Sequence, residues 1–151
     1  MKPPSTGGMS PVPIFRTTPM TWRTGYPDRF RFLDDEHEAL AQKLQDVKTS
    51  TGAGEDQDPK FETLKFLQML REHIDHEEDI MESSNYPEQQ LHKKHHEVLL
   101  ESVETILEFY DAASMLEHRE SIVKHFENRL TEEGLEDRRL AKFLRAHHDA
   151  A

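Results

Sequence analysis

Apolar residues recur at spacings of three, four and seven along most of the chain, in a pattern typical of helices. The first three stretches carry Phe30, Leu33, Leu40, Leu44 and Val47, then Phe61, Leu64, Leu67, Met69 and Leu70, then Leu91, Leu99, Val103, Ile106, Leu107 and Tyr110. At 3.6 residues per turn, these spacings bring the apolar side chains onto one face of a helix. Each stretch therefore predicts an amphipathic helix with one buried face.

A fourth stretch, residues 115–146, continues this spacing with one interruption. Its apolar positions are Met115, Ile122, Phe126, Leu130, Leu140, Phe143 and Leu144. Inside a helix, glycine costs up to about 1 kcal/mol relative to alanine. We therefore expect one long helix with an irregularity near Gly134, preceded by a weak connection at residues 111–114.

Turn and capping residues divide these helices from one another. Asp58 is a favoured N-cap and Pro59 a favoured first helical residue, so the second helix should begin there. Residues 83–87 end that helix, and we expect Asn85 or Tyr86 to cap the third. Short connections between helices predict antiparallel neighbours. The expected fold class is all-α, an antiparallel up-down-up-down four-helix bundle.

The N-terminal segment differs in composition from the rest of the chain. Residues 1–20 contain five of the eight prolines, which predicts a flexible leader. Trp22 and Tyr26 follow in an extended arm that we expect to pack across one end of the bundle. The four-helix domain is expected to span residues 21–151.

Composition and charge exclude several classes of function. Charged residues make up 32% of the chain and apolar residues 34%, and the formal net charge is −11, which disfavours nucleic acid and anionic membranes as partners. There is no cysteine, so a metal would have to be held by histidine and carboxylate, which suits iron, manganese or zinc. No apolar run approaches the ~18 residues of a membrane helix, and a cytoplasmic protein is expected.

Two pairs of candidate metal ligands lie on the predicted inner faces. His73 and Glu77 are four residues apart, as are His92 and His96, so each pair shares one face of its helix. His37 also lies on an inward face, where a single histidine is more often an ordinary core residue than a ligand. Diiron and dimanganese carboxylate proteins build their sites from such inward pairs in a helical bundle.

The order of these motifs resembles hemerythrin and its bacterial relatives. The resemblance covers residues 20–145, and the separations of 36 residues from His37 to His73 and of 19 from His73 to His92 fit that family. The motifs that carry it are Trp22 before Asp34-Asp-Glu-His37, His73-x-x-x-Glu77-Glu78-x-x-Met81, Tyr86-Pro87 and His92-Lys-x-x-His96.

The resemblance implies two Fe ions in an oxo- or hydroxo-bridged diiron centre between the four helices. In the family, one iron has two histidines and the other three, which leaves an open position for dioxygen. Carried over to this chain, His37 and His73 would hold one iron, and His92 and His96 the other. Glu77 would bridge the two.

The fourth helix departs from the family pattern. The family's last histidine would fall 36 residues after His96, where this chain has Glu132, and a bridging aspartate five residues further on, at Asp137. The resemblance therefore implies Glu132 and Asp137 as metal ligands. Residues five apart differ by about 140° on a regular helix, so both could face one site only if the helix were distorted. His125, or no protein ligand, remains an alternative to Glu132.

The implied function is reversible binding of dioxygen, for storage or sensing, rather than enzymatic turnover. A carboxylate at position 132 would add negative charge and stabilise ferric iron. That departure favours a second hypothesis, a diiron peroxidase or oxidase, or an enzyme that handles nitric oxide. An iron-buffering protein and a metal-free helical adaptor are further alternatives. The sequence leaves the oligomeric state open.

Overall fold

A computed structural model describes residues 24–54 and 57–147. The leader at residues 1–20 and Trp22 lie outside these ranges. In the part of the chain that the structure describes, a 3-10 turn, Asp28–Phe30, leads into the first of five α-helices. The helices are α1 Arg31–Thr49, α2 Pro59–Ser83, α3 Gln89–Phe109, α4 Ala112–Glu117 and α5 Arg119–His147. The described residues contain no strand, so the all-α prediction is confirmed.

Contacts between the long helices show that neighbours run antiparallel. His37 and Lys43 of α1 contact His73 and Glu62 of α2, so the numbering rises on one helix as it falls on the other. Helices α2 and α3 show the same reversal through Arg71–Glu104 and Glu78–His96. So do α3 and α5 through His96–Glu133 and His92–Asp137, and α1 and α5 through Gln45–Glu127 and His37–Asp137. The four long helices therefore close into a bundle with α1, α2, α3 and α5 in order around it.

Capping residues explain two of the helix boundaries. The side chain of Asp58 accepts a hydrogen bond from the Lys60 N–H, and Pro59 opens α2 as predicted. Asn85 does not cap α3, which begins later with Glu88 as its N-cap. Asn85 instead ends α2 in the left-handed region, at φ 55°, a conformation that asparagine tolerates better than most residues. The Tyr86 N–H then bonds the Met81 carbonyl, which satisfies the helix end.

The expected irregularity at Gly134 is absent. Helix α5 runs without a break from Arg119 to His147, and Gly134 is buried within it. The predicted connection at residues 111–114 and the start of the predicted long helix instead form the short helix α4, with Asp111 as its N-cap, so the long helix begins only at Arg119. Burial of Leu130 and Leu140 on either side outweighs the roughly 1 kcal/mol that glycine costs in a helix. Because α5 is a regular helix, residues four apart share one of its faces and residues five apart do not.

Two apolar clusters occupy the interior, and polar residues lie between them. The larger cluster includes Leu44, Phe66, Leu70, Val103 and Phe126, and the smaller is formed by Tyr26, Leu33, Ile80, Met81, Tyr86, Leu140, Ala141 and Leu144. Buried histidines and carboxylates separate them along the bundle: His37, His73, Glu77, His92, His96, Glu133 and Asp137. These polar groups are therefore shielded by apolar side chains above and below.

Candidate metal centre

The first half of the site lies between α1 and α2. His37 of α1 and His73 of α2 point their Nε2 atoms at each other, 2.9 Å apart. The Glu77 Oε2 atom lies 3.2 Å from His73 Nε2, and the Asp137 Oδ2 atom lies 3.1 Å from His37 Nε2. His73 and Glu77 converge because they are one helical turn apart on the inner face of α2.

The second half lies between α3 and α5. His92 and His96, one turn apart on α3, both place Nε2 at 2.9 Å from Glu133 Oε2. The Asp137 Oδ1 atom is 2.9 Å from His92 Nε2. Glu77 reaches across with its other oxygen, Oε1, which is 3.0 Å from both imidazole nitrogens. Glu133 and Asp137 are four residues apart, so the regular helix α5 presents both to the site.

The two halves share two carboxylates. In one group, ligand atoms of His37, His73, Glu77 and Asp137 all lie within 4.8 Å of one another; in the other, those of Glu77, His92, His96, Glu133 and Asp137 do. Glu77 and Asp137 each offer one oxygen to each group. This is the arrangement expected of carboxylates that bridge two metal ions.

In the His92/His96 half, more nitrogen–oxygen contacts are present than hydrogen bonds can satisfy. Three carboxylate oxygens surround His92 Nε2 at 2.9–3.0 Å, although one imidazole N–H can donate a single good hydrogen bond. The Oε1 atom of Glu133 is buried without a hydrogen-bond partner among the described residues, which is costly for a carboxylate. A cation between these oxygen and nitrogen atoms would satisfy all of them.

The separations between donor atoms are also compatible with an octahedral ion. Neighbouring ligands on an octahedral ion with bonds of about 2.1 Å are about 3.0 Å apart, whereas tetrahedral ligands at that bond length are about 3.4 Å apart. Most donor atoms here are 2.9–3.2 Å apart, as the pairs His37–His73 and His73–Glu77 show. Iron, manganese and zinc all accept this donor set of imidazole and carboxylate.

Carboxylates outside the cluster orient two of the four imidazoles through hydrogen bonds, and a third carboxylate lies near His37. His73 Nδ1 lies 2.8 Å from Glu36 Oε1, and His96 Nδ1 lies 2.9 Å from Glu78 Oε2. His37 Nδ1 lies 3.7 Å from Asp34 Oδ1. Because an ionised carboxylate only accepts hydrogen bonds, Glu36 and Glu78 keep the proton of His73 and His96 on Nδ1 and turn the Nε2 lone pair inward.

Electrostatics in the metal-free site depend on protons held between acids and bases. Burial lowers the pKa of His37, but hydrogen bonds to Asp137 and Asp34 outweigh it, and its pKa lies well above 6.5. Burial raises the pKa of Glu77, yet the surrounding histidines hold that pKa well below 4.5. Burial and then the charge of Asp137 raise the pKa of Glu133 to about 7. Bound cations would take over the role of these protons.

A tyrosine from the N-terminal arm also reaches the site. Tyr26 is buried, and its hydroxyl donates a hydrogen bond to Glu77 Oε2 at 2.9 Å. Burial, followed by the charge of Glu77, raises the pKa of Tyr26 well above 10.0, so its hydroxyl stays protonated. Tyr26 thus does pack onto the bundle as expected, but its polar end contacts the candidate metal ligands.

The structure brings six of the seven sequence-predicted site residues together and leaves one outside the cluster. His37, His73, Glu77, His92, His96 and Asp137 all come together, but Glu132 does not. The side chain of Glu132 is 64% exposed and pairs with Arg129 at 3.3 Å. The alternative ligand His125 lies outside the cluster, half-buried against Phe126. Glu133, which sequence reasoning missed, occupies the position expected for Glu132; its four-residue spacing from Asp137 was the available signal.

Comparison with known proteins agrees with this site. A myohemerythrin from Theromyzon tessulatum is 23% identical over 107 residues, which cover 71% of this chain and 84% of the relative. No family model and no solved structure matches the chain. None of the described helices has the length and apolar character needed to cross a membrane. The chain is thus similar to a hemerythrin-type protein and carries a buried cluster suited to metal.

Proposed function

We propose that this protein holds two iron ions and binds dioxygen at them. One ion would be held by His37 and His73, the other by His92, His96 and Glu133, with Glu77 and Asp137 shared. The observation that carries the proposal is that each shared carboxylate presents separate oxygens to the two halves. Two ferrous ions held there would supply, between them, the two electrons needed to bind dioxygen reversibly.

The protein supplies a charge-balanced and dry environment for that chemistry. Three carboxylates and four neutral imidazoles carry three negative charges, so two divalent ions and one hydroxide would leave the centre neutral. Apolar clusters on both sides exclude water, which would otherwise promote loss of electrons from the metal. Glu36 and Glu78 hold His73 and His96 in the tautomer that ligation requires.

Iron analysis with oxygen titration tests this proposal. We expect two iron ions per chain, near-ultraviolet charge-transfer bands in the oxidised protein, and uptake of one dioxygen per chain by the reduced protein that reverses when oxygen is removed. The variant His73→Ala should lose these bands because it removes one of the two imidazoles of the first half. Iron-free protein, or iron that takes up no dioxygen, would contradict the proposal.

Glu133 favours a second candidate function, reduction of peroxide or dioxygen by an external electron donor. It adds an anionic ligand where the hemerythrin pattern has histidine, and extra negative charge stabilises ferric iron. We expect the oxygenated protein to autoxidise readily, and Glu133→His to slow that loss. Steady turnover of peroxide with an electron donor would establish the enzyme; an unchanged autoxidation rate in Glu133→His would argue against it.

A further inference from the structure

The segment that carries Tyr26 is held to the bundle by Asp34 of α1 and by Arg145 of α5, which donates a hydrogen bond to the Gly25 carbonyl. Asp34 accepts hydrogen bonds from the Thr24 hydroxyl at 2.5 Å and from the Tyr26 N–H at 3.3 Å. The same carboxylate lies 3.7 Å from His37 Nδ1. Asp34 thus couples the position of the tyrosine backbone to a candidate metal ligand, and the phenol ring lies 6.2 Å from the His37 ring, centroid to centroid.

The two halves of the site differ in how many protein ligands they offer. Four residues surround the His37/His73 half, and five surround the His92/His96 half. An octahedral ion held by the His37/His73 half would therefore keep more positions for ligands from outside the protein. The Tyr26 hydroxyl is on this side, because it bonds Glu77 Oε2, which faces His73, and not Oε1, which faces His92 and His96.

We propose that Tyr26 donates a hydrogen bond to the small oxygen-containing or anionic ligand that binds at the His37/His73 half. This inference rests on the proposed diiron function. A ligand beside Glu77 on the same ion would be about 3 Å from Oε2. The phenol hydroxyl is 2.9 Å from that oxygen, and rotation of its O–H bond can redirect the proton from Glu77 to the ligand. Burial removes competing water and strengthens the bond.

Azide titration of the iron-loaded protein tests Tyr26 directly. Azide is a small anion whose binding to ferric iron is read from a charge-transfer band, without any turnover. Binding would move the Tyr26 proton from Glu77, whose charge the irons would offset, to the anion, so only the difference between the two hydrogen bonds counts. Tyr26→Phe should therefore weaken azide binding by about threefold to tenfold. Tyr86→Phe is the matched control: Tyr86 is also buried beside a cluster histidine, at 6.4 Å between its ring and that of His92, yet its hydroxyl bonds none of the described residues.

The outcomes separate this inference from the proposed function. Wild-type protein without iron would overturn both. Two irons and equal azide affinity in wild type and Tyr26→Phe would overturn the role of Tyr26 alone. An equal loss of affinity in Tyr86→Phe would also overturn it, because the effect would then be one of packing.

A second measurement applies if Tyr26→Phe fails to retain iron. The chain has three tyrosines, so a Tyr86→Phe, Tyr110→Phe background leaves Tyr26 alone. Incorporation of 3,5-difluorotyrosine then makes this one hydroxyl a stronger donor without changing its position. We expect tighter azide binding than in the unfluorinated double variant, and an unchanged affinity would overturn the proposal.

Discussion

Replacing Glu133 by glutamine should change stability in opposite directions in the metal-free and iron-loaded protein. The side chain keeps its size and loses its charge. In the metal-free fold the pKa of Glu133 is raised from 4.5 to about 7, chiefly by burial. Because the pKa of this carboxyl is higher in the folded protein than in the unfolded one, its contribution to stability is fully present below the pKa of the unfolded protein. That contribution is lost as pH rises through the pKa of the folded protein.

The magnitude follows from that shift. A difference of about 2.5 pKa units, at 1.36 kcal/mol per unit, corresponds to about 3 kcal/mol. Glu133→Gln should therefore raise the free energy of unfolding of metal-free protein by up to about 3 kcal/mol above pH 7, and leave it unchanged below pH 4.5. This increase in the free energy of unfolding is an upper limit, because His92 and His96 lose the Glu133 carboxylate as a charged hydrogen-bond acceptor.

The iron-loaded protein should respond in the other direction. Glutamine removes the anionic ligand beside His92 and His96, so iron affinity at that half should fall by at least about tenfold. Urea denaturation in the presence of chelator measures the first effect, and competition with a chromophoric chelator measures the second. A variant that is more stable without metal but binds iron more weakly could not result from general damage to the fold, which would lower both quantities.

Glu132→Gln provides the matched control. Its side chain is 64% exposed, so both stability and iron affinity should stay within about 0.5 kcal/mol of wild type. The reasoning would be refuted if Glu132→Gln lowered iron affinity while Glu133→Gln did not. It would also be refuted if Glu133→Gln destabilised metal-free protein above pH 7.

Three further perturbations test other parts of the account. Glu36→Gln should lower iron affinity by about 10–100-fold, because it weakens the bond that orients His73, whereas the exposed neighbour Glu38→Gln should not; chelator competition checks both. In metal-free protein the pKa values of His37 and His96 lie well above 6.5, so their contribution to stability is present below pH 6.5 and is lost as pH rises through the folded values. The urea midpoint of metal-free protein should therefore fall from pH 6.5 into the alkaline range, while that of iron-loaded protein should not, and a parallel decline in both would contradict the assignment. Leu70→Ala, at a fully buried position, should lower the free energy of unfolding by about 2–5 kcal/mol and still retain two irons, as denaturation and iron analysis would show.

The helical pattern and most of the site could be predicted from sequence because both are local. Pairs four residues apart, such as His73 with Glu77, share a helix face whatever the tertiary fold. The start of α2 at Pro59 was also predictable, since its capping residues are adjacent in sequence. Periodicity further indicated which faces pack inward, and so placed His37 there.

The error at Glu132 has a specific cause. Family spacing pointed to a residue five before Asp137, which required a distorted helix near Gly134. Helix α5 is regular, so the residue four before Asp137, Glu133, faces the site instead. Packing of the whole bundle stabilises a regular α5 by more than Gly134 destabilises it, and a short stretch of sequence does not show that balance. The contact between Tyr26 and Glu77 joins residues 51 apart, and no periodic signal links them.

Anomalous diffraction at the iron absorption edge tests the central claim most directly. The account predicts two iron peaks within the bundle, one beside His37 and His73 and the other beside His92, His96 and Glu133, with Glu77 and Asp137 contacting both. A bundle interior without iron peaks in crystals of iron-loaded protein, or a single peak outside these seven side chains, would contradict it.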